Sequence, residues 1–220
     1  MKILLIIALS IFSMTFIGCK ASSTDNEPAA RTLYQLGPEP TGNQLSNFPL
    51  ESISDLELAD LKFMREEEKL ARDNYTVSFQ SWNMIIFNNI ASSEQQHIDA
   101  LLELYARYSI EDDAKDNAVG VFNDFDLQAL YNYLDAISSN SEIDALLVGA
   151  EIEEIDIIDL VIREENSDNQ DIDWVYSMLR KGSRNHLRAF VKNLDTLGVT
   201  YTPLHLSEED YNAIINSPTE

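Results

Sequence analysis

Four stretches of about 25 residues each, between residues 55 and 197, keep apolar side chains at three- and four-residue spacing. That is the periodicity of helices that bury one stripe. Leu58, Leu61, Met64, Ala71, Tyr75 and Phe79 mark a helix from 55 to about 80. Ser54 with Glu57 three residues later has the spacing of a capping box at its start. After a break at Ser81-Trp82-Asn83, a second helix over about 84–108 carries Phe87, Ile90, Ile98, Leu101 and Tyr105. A third, over 141–165, carries Leu147, Ile155, Ile158 and Ile162. A fourth, over 171–197, carries Val175, Leu179, Phe190 and Leu194, and Gly198 stops it. Shorter helices are expected over 126–138 and after Ser207. Tightly linked helices of this length pair antiparallel. The pattern therefore predicts an all-α four-helix bundle, with a short extra helix in the long crossover 109–140 and a C-terminal helical tail. Seven Gly and six Pro in 220 residues argue against a turn-rich all-β chain.

The apolar stripes are interrupted by ionisable residues. Glu68 falls between Met64 and Ala71 and points inward, whereas Glu66 and Glu67 fall off that line and are expected in solvent. Glu94 and His97 share one face of the second helix at i, i+3 spacing, among Phe87, Ile90 and Leu101. Glu151 and Glu154 repeat that spacing on the third helix. On the fourth, His186 lies among Leu179, Leu187 and Phe190, with Ser183 three residues before it. Any one such residue is satisfied by an ordinary ion pair in a core. Burying an unpaired carboxylate costs several kcal/mol, and four carboxylates with two imidazoles, drawn from all four helices, call for a common explanation. Hard oxygen donors with imidazole suit iron or manganese, with zinc also compatible. Two divalent ions neutralise four carboxylates, which is the ligand logic of di-iron and di-manganese bundles. The candidate metal ligands are therefore Glu68, Glu94, His97, Glu151, Glu154 and His186. Tyr75, Ser183, Arg184 and Asn185 are candidates for holding those ligands in place. The third histidine, His205, lies in the tail and is expected to be incidental.

Charge and cysteine use narrow the remaining classes. Fifteen Lys and Arg against 38 Asp and Glu give a formal net charge of −23. That surface repels phosphate backbones and anionic lipid headgroups, so nucleic acid is not an expected partner. One cysteine excludes internal disulfides, cysteine-based zinc sites and a rubredoxin-type iron centre. Residues 1–18 combine one Lys with an apolar run too short for a stable span, as in a signal peptide. Phe16-Ile17-Gly18-Cys19 resembles a bacterial lipobox, which implies lipidation of Cys19 and a lipid anchor to a membrane. Residues 19–51, polar and rich in Ser, Pro and Gly, then read as the lipidated Cys followed by a flexible tether to a domain over 52–220. The expected location is the cell envelope, periplasmic or at the cell surface.

Glu68-Lys-Leu-Ala-Arg-Asp-Asn-Tyr75, Ser93-Glu94-Gln-Gln-His97, Gly149-Ala-Glu151-Ile-Glu-Glu154 and Gly182-Ser-Arg-Asn-His186 together resemble the ferritin-like superfamily. More narrowly, they resemble a prokaryotic ferritin-like domain family of unknown function related to rubrerythrin and erythrin. The resemblance covers about 52–215 and implies a ferritin-like four-helix bundle with a di-iron carboxylate site. It implies an Fe(II) oxidase or a protein that reduces peroxide or O₂. The chain departs from the full pattern at Ser183, where a complete site has Glu. Glu151 is one source of the missing carboxylate, and a mononuclear or asymmetric site is another outcome. Without a Cys-ligated iron domain, redox turnover needs an external electron donor. The competing expectations are a non-catalytic metal-binding lipoprotein and a structural envelope lipoprotein with a degenerate site. A homodimer is compatible with either.

Overall fold

A computed structural model describes residues 42–220. The expected signal peptide, Cys19 and most of the expected tether lie outside the described residues. Among the described residues every regular element is a helix: α1 (Gly42–Leu45), α2 (Asp55–Trp82), α3 (Ile85–Tyr108), α4 (Phe125–Ser138), α5 (Glu142–Asn166), α6 (Gln170–Thr196) and α7 (Glu208–Ile215). The protein is all-α.

Local chemistry sets the boundaries. Ser54 and Glu57 form the reciprocal capping box that their spacing predicts. Asp124, Ser141 and Ser207 accept backbone N–H groups at the starts of α4, α5 and α7. Asn83 turns the chain between α2 and α3 in a left-handed conformation at φ 52°, with its N–H on the Phe79 carbonyl. That conformation comes more readily to Asn than to most residues.

Pairs of contacting residues give the helix directions. Glu68 meets His97 and Leu61 meets Tyr105, so α2 and α3 are antiparallel. Asp156 meets Ser183 and Glu164 meets Arg180, so α5 and α6 are antiparallel. Tyr75 with Glu153 and Glu57 with Ser167 make α2 and α5 antiparallel. Ser93 with His186 and Arg107 with Asp171 do the same for α3 and α6. Consequently α3 and α5 point the same way, and the segment joining them must return along the length of the helices. Helix α4 lies in that return and packs on α2 and α5.

Two apolar clusters stand at opposite ends of this arrangement. One holds Leu70, Tyr75, Phe87, Leu146, Leu187 and Phe190; the other holds Leu61, Met64, Leu101, Leu104, Tyr176 and Leu179. On α2, α3 and α6 the chain passes from one cluster to the other through a polar layer at Glu68, Glu94 with His97, and Ser183 with His186. The ionisable residues therefore sit at one level, sealed by hydrocarbon above and below.

Several acidic side chains hold backbone instead of facing water. Glu66, expected in solvent, accepts the N–H groups of Asn123 at 2.7 Å and Asp124 at 2.8 Å and fixes the start of α4. Glu67, also expected in solvent, is 3% exposed. Burial first, and then Asp159, push its carboxyl well above the ordinary range. The physical reason for both corrections is the crossover segment and α5, which cover faces of α2 that its own periodicity marks as outer. Part of the expected tether is folded too. Leu45 is buried, Phe48 lies 5.5 Å from Trp174, and Arg107 donates to the Phe48 carbonyl at 2.8 Å. No described helix is long and apolar enough to cross a membrane.

Candidate metal centre

The polar layer gathers Glu68 from α2, Glu94 and His97 from α3, Glu153 and Asp156 from α5, and Ser183 and His186 from α6, all buried. The i, i+3 spacing of each pair brings both members to one face of their helix. Two triads have donor atoms within 4.8 Å of one another: Glu68, Glu94 and His97, and Glu94, Glu153 and His186. Glu94 belongs to both. Its Oε2 lies 2.7 Å from His97 Nδ1, and its Oε1 lies 2.9 Å from His186 Nδ1. Glu68 Oε2 is 3.1 Å from His97 Nδ1, and Glu153 Oε2 is 3.4 Å from His186 Nδ1. The two imidazole rings stack with centroids 5.5 Å apart.

Contacts behind the triads hold them in place. His186 Nε2 lies 2.9 Å from the Ser93 hydroxyl, which fixes the ring with Nδ1 inward. The Tyr75 hydroxyl donates to Glu153 Oε1 at 2.5 Å. The Ser183 hydroxyl lies against Asp156 Oδ2 and the Leu179 carbonyl. Gly182 leaves room for His97, because a Cβ there would collide with the imidazole.

Charges and burial work against each other here. Burial alone would raise Glu94, but the adjacent His186 and His97 outweigh it and hold its carboxyl well below the usual range. Burial, then Glu94, push Glu153 up to about 7. Burial, then Glu153, push Asp156 up to about 8. Burial and the nearby Asp156 raise Glu68 well above its ordinary value. Burial would lower the imidazoles. Glu94 and Glu153 instead raise His186 to about 10, while Glu68 and Glu94 raise His97. The raised imidazoles and carboxyls thus favour bound protons where no cation balances the carboxylates.

The donor set fits a divalent ion on two observations. Glu94 Oε1 and His186 Nδ1 face each other at 2.9 Å, and Glu68 Oε1 is buried with no hydrogen-bond partner. Ligand bonds of about 2.1 Å at roughly right angles place neighbouring donor atoms ~3 Å apart, the spacing seen here. Carboxylate with imidazole is also the donor chemistry of iron, manganese and zinc.

The structure thus brings together Glu68, Glu94, His97 and His186, four of the six residues expected as ligands. Glu151 and Glu154 lie elsewhere. Glu154 accepts the N–H groups of Leu204 at 3.0 Å, His205 at 2.6 Å and Leu206 at 2.9 Å, and Glu151 meets His205 Nε2 at 3.3 Å. Their places in the polar layer belong to Glu153 and Asp156, because α5 is turned from its expected phase. Leu147, Ile155 and Ile158 are only half-buried and Ile162 is exposed, while Leu146, Gly149, Ala150, Ile157 and Leu160 are buried. Glu153 stands three or four residues from Gly149, Ala150 and Ile157, so that spacing was a usable signal. Tyr75 and Ser183 touch the centre as expected. Arg184 and Asn185 do not: both bind Glu220, and Arg188 joins them. His205 lies outside the centre, with Nε2 3.3 Å from Glu151 Oε1.

Fold and site together define an all-helical protein with buried glutamate and histidine groups able to hold metal ions. The chain belongs to the family described as an uncharacterized protein domain, DUF2202, whose model matches residues 57–218. It is 48% identical over 176 residues to the uncharacterized protein MJ0754 of Methanocaldococcus jannaschii, covering 80% of this chain and 95% of that protein. The crystal structure of hypothetical protein MJ0754 from Methanococcus jannaschii aligns with a TM-score of 0.76 at 48% identity, over 78% of this chain and 98% of that chain.

Proposed function

We propose that this chain is a ferritin-like, di-iron carboxylate protein of the cell envelope that oxidises Fe(II) or reduces peroxide or O₂. The observation that carries the reading is Glu94, each of whose oxygens faces the Nδ1 of a different histidine, at 2.7 and 2.9 Å. A carboxylate so placed would serve both groups: Glu68 and His97 would hold one ion with it, and Glu153 and His186 another. The helix directions support the ferritin-like part, since one long crossover between two antiparallel pairs distinguishes that arrangement from a simple up-down bundle. A bound iron pair supplies one- and two-electron redox chemistry toward O₂ or peroxide. The protein's own part is to hold the donors, exclude water with the two apolar clusters, and keep Glu153 in register through Tyr75. Iron is the metal of this reading, with manganese and zinc accepted by the same donors. The lipobox-like Cys19 supports a membrane anchor by lipid, and an external donor would supply electrons.

Ser183 favours a second reading, metal binding without turnover, because α6 contributes a hydroxyl where a complete site has Glu. One experiment separates them. Purified protein is analysed for bound metal, then loaded anaerobically with Fe(II) and exposed to air or peroxide while residual Fe(II) is measured. The redox reading requires about two irons per chain and rapid Fe(II) loss, with both signals abolished in Glu94→Ala and His186→Ala. Bound metal with Fe(II) lost no faster than in buffer establishes the binding reading. Protein that binds no metal sinks both.

A further inference from the structure

We propose that the open cleft where α5 hands over to α6 is a second binding site, for a linear aliphatic polyamine, with two aromatic rings and three carboxylates as its recognition groups. The site is separate from the metal centre: Glu164 stands eleven residues beyond Glu153 on α5, ~16 Å along the helix.

Three observations carry it. The cleft holds about 710 Å³, a volume typical of small-molecule sites, between Phe48 from the chain before α2, Glu164 and Glu165 from α5, and Asp173, Trp174 and Arg180 from α6. The Phe48 ring lies 5.5 Å from the Trp174 ring. Arg107 fixes it by donating to the Phe48 carbonyl at 2.8 Å while pairing with Asp171 at 2.6 Å. Aromatic faces of this kind attract cations. Next, the carboxylates are not satisfied within the protein. Arg180 pairs with Glu164 Oε2 at 2.8 Å, but Glu164 Oε1 and Asp173 Oδ1 are shielded from solvent with no hydrogen-bond partner. Such oxygens call for a donor, and an ammonium group brings three N–H bonds. Finally, the charge is left open. Three carboxylates against one guanidinium leave two negative charges in the cleft, on a chain whose net charge of −23 already draws cations.

The spread of these groups selects the ligand. Glu164, Glu165 and Asp173 do not bring three donor atoms within 4.8 Å of one another, as the triads of the centre do, so the cleft does not match a single metal ion. An organic anion would meet net negative charge. A chain of methylenes with an ammonium group at each end lays its apolar part on Phe48 and Trp174 and takes its charges to acidic groups on both helices. A lysine side chain on a peptide offers the same ammonium. The free polyamine matches better because bare carboxylate oxygens remain on α5 and on α6 alike.

The test is a titration of the whole, chelator-treated protein with spermidine, followed by calorimetry and tryptophan fluorescence, with each fold checked by circular dichroism and melting. Wild type is expected to saturate at a single spermidine per chain and to change its tryptophan emission. Trp174→Leu should bind ~5-fold more weakly. Glu164→Gln with Asp173→Asn keeps the shape of the cleft and should bind ~10-fold more weakly, which guards against a Trp174 variant that merely fails to fold. Glu208→Gln with Glu209→Gln removes the same charge from the exposed start of α7 and should bind as wild type does. Equal affinity in both double variants would show diffuse attraction to an acidic surface and overturn the site. A wild type that takes up no spermidine overturns it as well. A short lysine-containing peptide held more tightly than spermidine would overturn the small-molecule assignment.

Discussion

The Tyr75 hydroxyl reaches across from α2 and donates to Glu153 Oε1 at 2.5 Å. The same ring packs 5.2 Å from Phe190 and 6.4 Å from Phe87, so packing fixes the position from which the hydroxyl points. Glu153 Oε1 is thereby occupied, and Oε2 remains for the His186 side of the centre. Tyr75→Phe should keep the packing and free the carboxylate to rotate. Metal affinity at that position should fall ~10-fold or more. Metal-free stability should fall by about 1–3 kcal/mol, the cost of leaving a buried acceptor unmatched. Co(II) titration and denaturant unfolding of the variant measure the two effects separately. Unchanged affinity would reduce Tyr75 to a core residue.

Most of the helices were legible in the sequence because Ser54, Asn83 and Gly198 punctuate them and each stripe repeats over several turns. The phase of α5 was not. It packs against α2, α4 and α6, so apolar residues lie on most of its circumference and no single stripe stands out. Choosing Leu147 and Ile155 as the inner line placed Glu151 and Glu154 in the centre, and the true line one step over places Glu153 and Asp156 there. Glu154 is nonetheless buried, because backbone 50 residues away folds over it. Local periodicity carries no record of such a contact. The same is true of Glu66 beneath Asn123 and of Leu45 within a stretch that reads as tether.

Gly182 is a place where one methyl group should be felt. A Cβ at that position would collide with the His97 imidazole, and a Cβ at Gly149 would collide with the Phe190 ring. Both Ala variants should be destabilised by about 1–3 kcal/mol through overpacking. Only Gly182→Ala should also lose metal, because only there would a proposed ligand be displaced. Parallel melting and metal analysis of the two proteins tests the distinction, and equal metal content in both would contradict it.

Glu154 separates structural from ligand roles most cleanly. Three N–H groups, from Leu204, His205 and Leu206, converge on its carboxylate between 2.6 and 3.0 Å. Glu154→Gln keeps the size and removes the charge and one acceptor oxygen. It should cost on the order of 3 kcal/mol, by weakening charge-assisted bonds and leaving buried donors underused. Faster amide exchange over 199–206 should accompany the loss, while metal stoichiometry stays at the wild-type value. Lost metal with an intact tail would return Glu154 to the ligand set.

The metal-free protein should respond to pH in a direction set by its protonated centre. Glu153 is raised to about 7 and Asp156 to about 8, from ordinary values near 4. The folded state thus holds protons that the unfolded chain releases. A carboxyl raised in this way stabilises fully below its unfolded value and loses that contribution as pH climbs to its folded value. His186, raised to about 10, follows the same sign, with its contribution complete below 6.5 and lost toward 10. Glu94, held low by His186 and His97, acts oppositely and weakens the fold only as pH drops below the ordinary carboxylate range. Chelator-treated protein should therefore be most stable near pH 5 and lose melting temperature steadily between pH 5 and 9. Metal binding runs the other way, because each ion must displace the protons on Glu153, Asp156 and the imidazoles, so affinity should rise over that interval. Bound ions replace the lost protons, and the metal-loaded protein should show a much flatter profile. Melting curves with and without Co(II) across the range read both slopes. A metal-free protein equally stable at pH 5 and pH 9 would show that the centre is not held together by protons.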